Sequence, residues 1–290
     1  MNSSSMRFGV AALSLVAVSA ASACAGGGGP SSSSPPVLGY SVDEAVNHSY
    51  SQADTTSLDL DMGGQMIDVN IRRQALLDMA LAPTPEGVQV TTSWRDLNVT
   101  MTNPMGPAES TTEEDVEGPL IFTLDRRGAA EVVSVPTLKG SAPQMVVPQE
   151  VAQGFFPRLP GTPPTPGMSW TDTVAYEADI RGARTSNETV FTYTVVGDTL
   201  VDGRSLMKVR TEGEGTTSQG GVTQGMDFTQ ELAGTVDGFF LWDLEAGVAR
   251  YQWTEMDYSG TMSVTAAPFP LGVVMTGVSH VRFVEGDGER

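Results

Sequence analysis

The stretch Thr189-Val-Phe-Thr-Tyr-Thr-Val-Val196 alternates between threonine and large apolar residues over most of its length. In an extended chain, Phe191, Tyr193 and Val195 fall on one face and the intervening threonines fall on the other. A helix would instead repeat its apolar residues every three to four positions. The stretch therefore predicts a β-strand with one buried face.

The same period of two flanks the pair Gly63-Gly64. Leucine or methionine alternates with aspartate over residues 58–62, and isoleucine or valine recurs at every second position over residues 67–71. Two such runs joined by a glycine pair are typical of a β-hairpin. Asp202-Gly203 and Asp237-Gly238, each between apolar runs, predict two further hairpins.

Residues 70–81 fit two kinds of structure. They are rich in alanine, leucine, methionine and arginine, which favour a helix. However, Leu77, Met79 and Leu81 alternate with Asp78 and Ala80, and the neighbouring segments are predicted hairpins. We expect a strand here. A short helix is predicted near Pro148, because proline is well tolerated at the first helical position.

The segment Pro157-Arg-Leu-Pro-Gly-Thr-Pro-Pro-Thr-Pro-Gly167 divides the chain, since its five prolines cannot donate hydrogen bonds to a sheet. It separates an N-terminal β half (38–156) from a C-terminal β half (168–284), and residues 285–290 are expected to be a tail. Residues 122–128 and 240–247 both predict a strand, an acidic turn and a returning strand, which is compatible with a faint duplication.

The chain resembles an uncharacterised group of β-rich bacterial lipoproteins that share a domain of unknown function. The resemblance rests on Met62-Gly-Gly-Gln65, Pro166-Gly-Met-Ser-Trp170, Thr194-Val-Val-Gly197, Val201-Asp-Gly203 and the run from Phe240 to Gly247. It implies an all-β fold of long antiparallel strands in two curved sheets or half-open barrels, loosely like periplasmic lipid carriers, with at most one or two short helices. It implies no known activity.

Residues 1–23 are predicted to be a signal peptide. Arg7 precedes an apolar run of thirteen residues, which suits a secretory segment but is short of the roughly 20 residues of a membrane-spanning helix. The run ends in Ala21-Ser-Ala-Cys24, which resembles the lipobox of bacterial lipoproteins, whose cysteine receives acyl chains such as palmitate. That pattern favours leucine where Ala21 stands, so ordinary cleavage after Ala23 is the alternative.

Cys24 is the only cysteine, so it has no disulfide partner within the chain. The Gly/Ser/Pro-rich residues that follow it, up to position 37, have the composition of a flexible tether. We therefore expect residues 24–37 to be a lipidated cysteine with its tether. The protein is then exported and attached to a bacterial membrane, with the outer membrane or cell surface favoured.

The composition argues against several functions. The formal net charge is −19 at pH 7, which is the wrong sign for a nucleic-acid-binding surface. His48 and His280 are the only histidines, and no G-x-S-x-G, H-E-x-x-H or phosphate-binding glycine loop is present. Asp59 and Asp61 share a strand face but lack the further ligands of a calcium loop. We expect no catalytic residues, no metal and no cofactor.

Aromatic residues and fourteen methionines remain as candidates for binding. Phe191, Phe240, Trp242 and Trp253 are the residues expected to line an apolar ligand site, and methionine is common at adaptable apolar surfaces. We expect a non-catalytic binding module for a lipid or another apolar molecule. The alternative is a structural or protein-interaction lipoprotein of the envelope with a solid β core.

Overall fold

The computed structural model describes residues 37–104, 106–180, 183–223, 226–265 and 269–284. They belong to one compact unit, which begins at Pro36. The predicted signal peptide, Cys24 with the tether up to residue 36, and the tail 285–290 lie outside the described residues. The statements on them therefore stay predictions.

Strands dominate the described chain. The N-terminal strands are β1 (Val46–Asp61), β2 (Met66–Thr84), β3 (Gly87–Thr102), β4 (Glu109–Thr112), β5 (Val116–Glu117), β6 (Leu120–Leu124), β7 (Ala130–Ser134) and β8 (Thr137–Leu138). Two short helices follow, α1 (Ala142–Met145) and α2 (Pro148–Gly154). The later strands are β9 (Ser169–Ile180), β10 (Ala183–Val201), β11 (Arg204–Thr223), β12 (Met226–Asp243), β13 (Val248–Val264) and β14 (Leu271–Val284). No described helix is long and apolar enough to cross a membrane.

Eleven strands form one antiparallel sheet in the order β7-β6-β3-β2-β1-β14-β13-β12-β11-β10-β9, and β4 pairs with β3. β5 and β8 form a separate two-stranded sheet. The large sheet curls into a half-barrel, so the predicted all-β class with few short helices is confirmed. Of the two expected forms, the half-open barrel is the one observed, because β1 and β14 pair in the middle and join both halves of the chain.

The concave face of the sheet holds the main core. Leu77 on β2 and Tyr193 on β10 pack in the same cluster as Val151 of α2 and Phe156 just after it. Side chains from distant strands can meet there because the sheet curls around the helix. This arrangement buries the face that the period-two pattern of β10 predicts to be buried.

Helix α2 lies between the two edge strands of the sheet, β7 and β9. Gln153 Nε2 donates to the carbonyl oxygen of Ala130 on β7 at 2.7 Å. Arg127, in the turn before β7, forms a salt bridge with Asp172 on β9 at 2.8 Å. The segment around α2 therefore connects the two edge strands, β7 and β9, across the open side of the curled sheet.

Several local predictions are confirmed. Residues 70–81 lie within β2, and the helix near Pro148 is α2. Asp202-Gly203 forms the β10–β11 turn with φ of 50° and 81°. Asp125 and Asp243 each accept backbone N–H bonds in the turns that follow β6 and β12, so both predicted acidic turns are present.

The hairpin predicted at Asp237-Gly238 is wrong, because both residues lie inside β12. Gly238 therefore does not lie in a turn. A Cβ at this position would overlap the carbonyl oxygen of Trp253 on the neighbouring strand. The glycine therefore permits a close approach of two strands, and sequence alone does not distinguish this role from a turn.

Candidate functional site

The structure does not bring the four predicted lining residues together. Phe240 and Trp242 are each only 1% exposed and pack in the main core. Phe191 is half-buried on the same face, between that core and a second apolar cluster. Trp253 pairs with Phe239 across the strands, and Phe239 occupies the opposite face from Phe240. The four residues cannot line one site, because the Trp253 side chain lies on the opposite face of the sheet from the other three.

A cavity of about 280 Å3 lies at one end of the sheet, where β1 begins. Its apolar wall is formed by Val42, Val46, Tyr50, Leu81, Val88, Leu124, Phe155 and Phe156, and none of the four predicted residues belongs to it. Five separate segments line the cavity: the start of β1 with the residues before it, the β2–β3 hairpin, β6, the end of α2, and the β12–β13 turn with the start of β13. Because these residues are far apart in sequence, periodicity alone could not group them.

His48 is the most distinctive polar residue of this cavity. Its Nδ1 atom is buried and has no hydrogen-bond partner within the described residues. Burial, and then the positive charge of Arg250, lower the pKa of the imidazole below its ordinary value. His48 is therefore neutral at pH 7, and its ring packs edge-on against Phe283 at 5.3 Å. A neutral imidazole adds one hydrogen-bonding group to a wall that also includes the polar residues Ser41, Asp43, Glu44 and Gln252.

The other histidine contributes nothing to this cavity. His280 lies at an exposed position of β14, and its Nδ1 is 3.0 Å from the Tyr251 hydroxyl oxygen. His48 and His280 therefore do not meet. Among the described residues, no three or more His, Cys, Asp or Glu side chains form a group that could hold a metal ion. The cavity offers shape and apolar surface, with Asp43 and Glu44 among its polar lining.

A second polar region lies on the concave face, in the middle of the sheet. The Asp54 carboxylate accepts hydrogen bonds from Ser279 Oγ at 2.6 Å, Gln52 Nε2 at 2.8 Å and Arg73 Nη1 at 3.1 Å. Arg73 Nη2 also donates to the carbonyl oxygen of Met145, at the end of α1, at 2.9 Å. Sequence analysis missed this cluster. In the sequence, the cluster corresponds to a run of polar residues on the inner face of β1, between the buried Tyr50 and the apolar end of the strand.

Arg158 is the most unusual charge in the core. It is 3% exposed, and among the described residues its side chain makes one hydrogen bond, from Nη2 to Gln153 Oε1 at 3.0 Å. Its Nε and Nη1 atoms have no partner within the described residues. A buried charge without a counter-ion costs free energy, and an apolar residue of similar length often replaces it without loss.

We expect Arg158→Met to raise the free energy of unfolding by about 1–3 kcal/mol, since it removes two unsatisfied buried donors. Urea unfolding measures the change. Arg184→Met is the control, because Arg184 is exposed and its pair with Glu177 is worth roughly 0–1 kcal/mol. A loss of stability in Arg158→Met alone would show that the guanidinium is paired in solution.

No family model and no curated protein matches the chain. Solved structures similar to it include a hypothetical lipoprotein, YmcC, from Escherichia coli, with 14% identity over 80% of this chain and 86% of that chain and a TM-score of 0.23. Two others are OmpT, an outer membrane protein of Vibrio cholerae (6% identity, 83% and 100% covered, TM-score 0.20), and OpdQ of Pseudomonas aeruginosa (9%, 84% and 99%, TM-score 0.21).

Proposed function

We propose that this protein is an exported, lipid-anchored binding module of the bacterial envelope, and that its cavity at the start of β1 holds an apolar molecule or the apolar part of a lipid. The observation that carries the proposal is the cavity itself. At about 280 Å3 it is close to the lower end of small-molecule sites, roughly 300–1,000 Å3. It is lined mainly by aliphatic and aromatic side chains with a few polar groups, as such sites are.

The chemistry of the wall favours binding over catalysis. Apolar surface binds by the hydrophobic effect, at about 25 cal/mol per Å2 removed from water. His48 is the one imidazole in the wall, and no described serine, cysteine or lysine forms a hydrogen bond with its buried Nδ1. We therefore propose a carrier or sensor role without a chemical step.

A second function is favoured by a different observation. The end of the concave face where β1 begins is filled by the protein's own side chains, including Phe240 and Trp242, and by the residues around α2. A sheet closed in this way suits a structural or interaction role with another envelope protein. The two proposals differ in whether the small cavity is occupied in the purified protein.

The cavity can be filled by mutation. Val46→Trp should lower the affinity for N-phenyl-1-naphthylamine, a neutral apolar fluorophore, by tenfold or more, because the half-buried Val46 side chain lies in the wall. Fluorescence titration of residues 38–290 measures it. Leu200→Trp adds the same side chain at a position 74% exposed and should leave the affinity unchanged.

Native mass spectrometry of the same protein should show a co-purified small molecule that Val46→Trp lacks. Equal probe affinity in Val46→Trp and the unsubstituted protein would place the binding elsewhere. A clean apo mass from several expression hosts, together with no probe binding, would favour the structural role.

A further inference from the structure

The polar region around Asp54 extends across the interior of the sheet. Glu150 of α2 interacts electrostatically with Arg73 and Asp54. Tyr176 of β9, the far edge strand, interacts with Glu150 and Arg73 as well. We call Gln52, Asp54, Arg73, Glu150, Tyr176 and Ser279 the Asp54 cluster. It draws on β1, β2, β9, β14 and α2, so it forms only because the sheet curls around the helix.

Two members of the Asp54 cluster have hydrogen-bonding capacity to spare. The Asp54 carboxylate is satisfied by three donors, and Arg73 is held by Asp54 and by the end of α1. The side chains of Glu150 and Tyr176, in contrast, have no hydrogen bond or ion pair among the described residues. Glu150 also keeps an exposed surface although protein surrounds it. Its side chain is therefore accessible to a ligand.

The charges of the Asp54 cluster do not balance. Asp54 and Glu150 are acids, and Arg73 is the cation that acts on Glu150 within the described part of the chain. Arg73 is already within 3.1 Å of Asp54, so Glu150 is the acid in excess. Burial, together with the negative charge of Asp54, raises the pKa of the Glu150 carboxyl. A carboxylate in such a place is stabilised when a cation is placed beside it.

Apolar side chains continue from the Asp54 cluster along the same face. Thr56 follows Asp54 on the inner side of β1, and then come Leu58 and Leu60. Both leucines are half-buried and, like the half-buried Met256, Met262 and Met275, pack against a buried cluster of Leu232, Val236, Tyr258 and Val273. Large apolar side chains left partly exposed in a concave surface are typical of a binding face, and methionine adapts to varied ligand shapes.

We propose that this concave face binds an amphiphile with a protonated amine, with the ammonium on Glu150 and Tyr176 and the hydrocarbon along Leu58, Leu60 and the methionines. The ammonium donates hydrogen bonds to the Glu150 carboxylate and to the Tyr176 hydroxyl oxygen, and it neutralises the excess acid. The site is distinct from the cavity at the start of β1 and does not depend on it.

The test compares three probes with one twelve-carbon chain: dodecylamine, dodecanoate and dodecanol, each kept below its micellar concentration. Calorimetric titration of residues 38–290 should show that the amine binds at least tenfold more tightly than the other two. Glu150→Gln should remove most of that preference and leave dodecanol binding unchanged. Tyr176→Phe should weaken the amine a few-fold.

The matched control is Glu188→Gln, which removes an acid at an exposed position of β10 and should not change amine binding. It separates the site from general attraction of cations to an acidic protein. Amine affinity should also fall as the pH drops through the raised pKa of Glu150, because the protonated carboxyl loses its charge. Val46→Trp should not affect the amine.

Three results would overturn the proposal: dodecanoate binding as tightly as dodecylamine, which would make Arg73 the recognition group; equal loss in Glu150→Gln and Glu188→Gln; or no binding of any probe. Thermal unfolding of each variant shows whether a loss of binding reflects a loss of fold. If Val46→Trp abolishes amine binding as well, the ligand occupies the cavity rather than this face.

Discussion

Replacing Gly260 by valine should lower the free energy of unfolding by about 3 kcal/mol, the upper end for an overpacked interior. Gly260 faces Leu232 across the β12–β13 pair. A Cβ at position 260 would overlap the carbonyl oxygen of Glu231 and crowd the Cα atom of Leu232. The clash is with backbone, which cannot turn aside as a flexible side chain can, so the two strands would have to separate.

Gly220→Ala provides the control for this prediction. Gly220 also lies in a long strand of the sheet, β11, but a Cβ there would meet Thr229 and Phe228 only at ordinary contact distances of 3.6 and 3.7 Å. We expect a change within about 0.5 kcal/mol, as for most surface substitutions. Urea unfolding of both variants checks the pair. Similar stability of Gly260→Val and Gly220→Ala would show that the sheet is looser at β12–β13 than its register implies.

Local pattern predicts much of this fold. The alternation around Tyr193 and the glycine pair at residues 63–64 each specify a strand or a turn through neighbouring residues alone. Even the ambiguous residues 70–81 follow their period of two rather than their helix propensity, because burial against the core outweighs intrinsic preference. A strand's period is a local property, so the sequence reveals it.

Curvature and pairing order are not local. The pairing of β1 with β14 brings together residues that are more than 200 positions apart in the sequence. Gly238 lies where two strands approach each other closely. In the sequence, however, a glycine that follows an aspartate is also typical of a turn. The mistaken hairpin at Asp237-Gly238 follows from this ambiguity, since only the neighbouring strand shows which role the glycine plays.

The candidate sites illustrate the same limit on inference from pattern. Alternation correctly places Phe240 and Trp242 on one face, but it cannot say that they share a core with residues of α2. The cavity around His48 and the cluster around Asp54 each combine segments that touch only after the sheet curls. In the sequence, a run of polar residues on one face of β1 indicates the cluster. That face can be recognised as the inner one only when the curvature of the sheet is known.

Replacing Cys24 by serine should move the full-length protein from the membrane fraction to the soluble fraction almost completely. Serine leaves the size of the side chain nearly unchanged but removes the thiol that would carry the acyl chains. Each buried methylene of such a chain contributes about 0.8 kcal/mol, so two or three chains give an anchor that is effectively permanent. Fractionation of cells expressing both forms, with metabolic labelling by an alkynyl palmitate analogue, measures the difference.

Ala25→Ser is the matched control, since it alters the adjacent residue and keeps the cysteine; it should remain labelled and bound to the membrane. Absence of label in the unsubstituted protein would favour ordinary cleavage after Ala23, which leaves a secreted protein with a free thiol. Unchanged membrane partitioning of Cys24→Ser would contradict the anchor in another way, because the body would then have to bind the membrane itself. A formal charge of −19 opposes that for an anionic surface, so the acyl anchor is the result we expect.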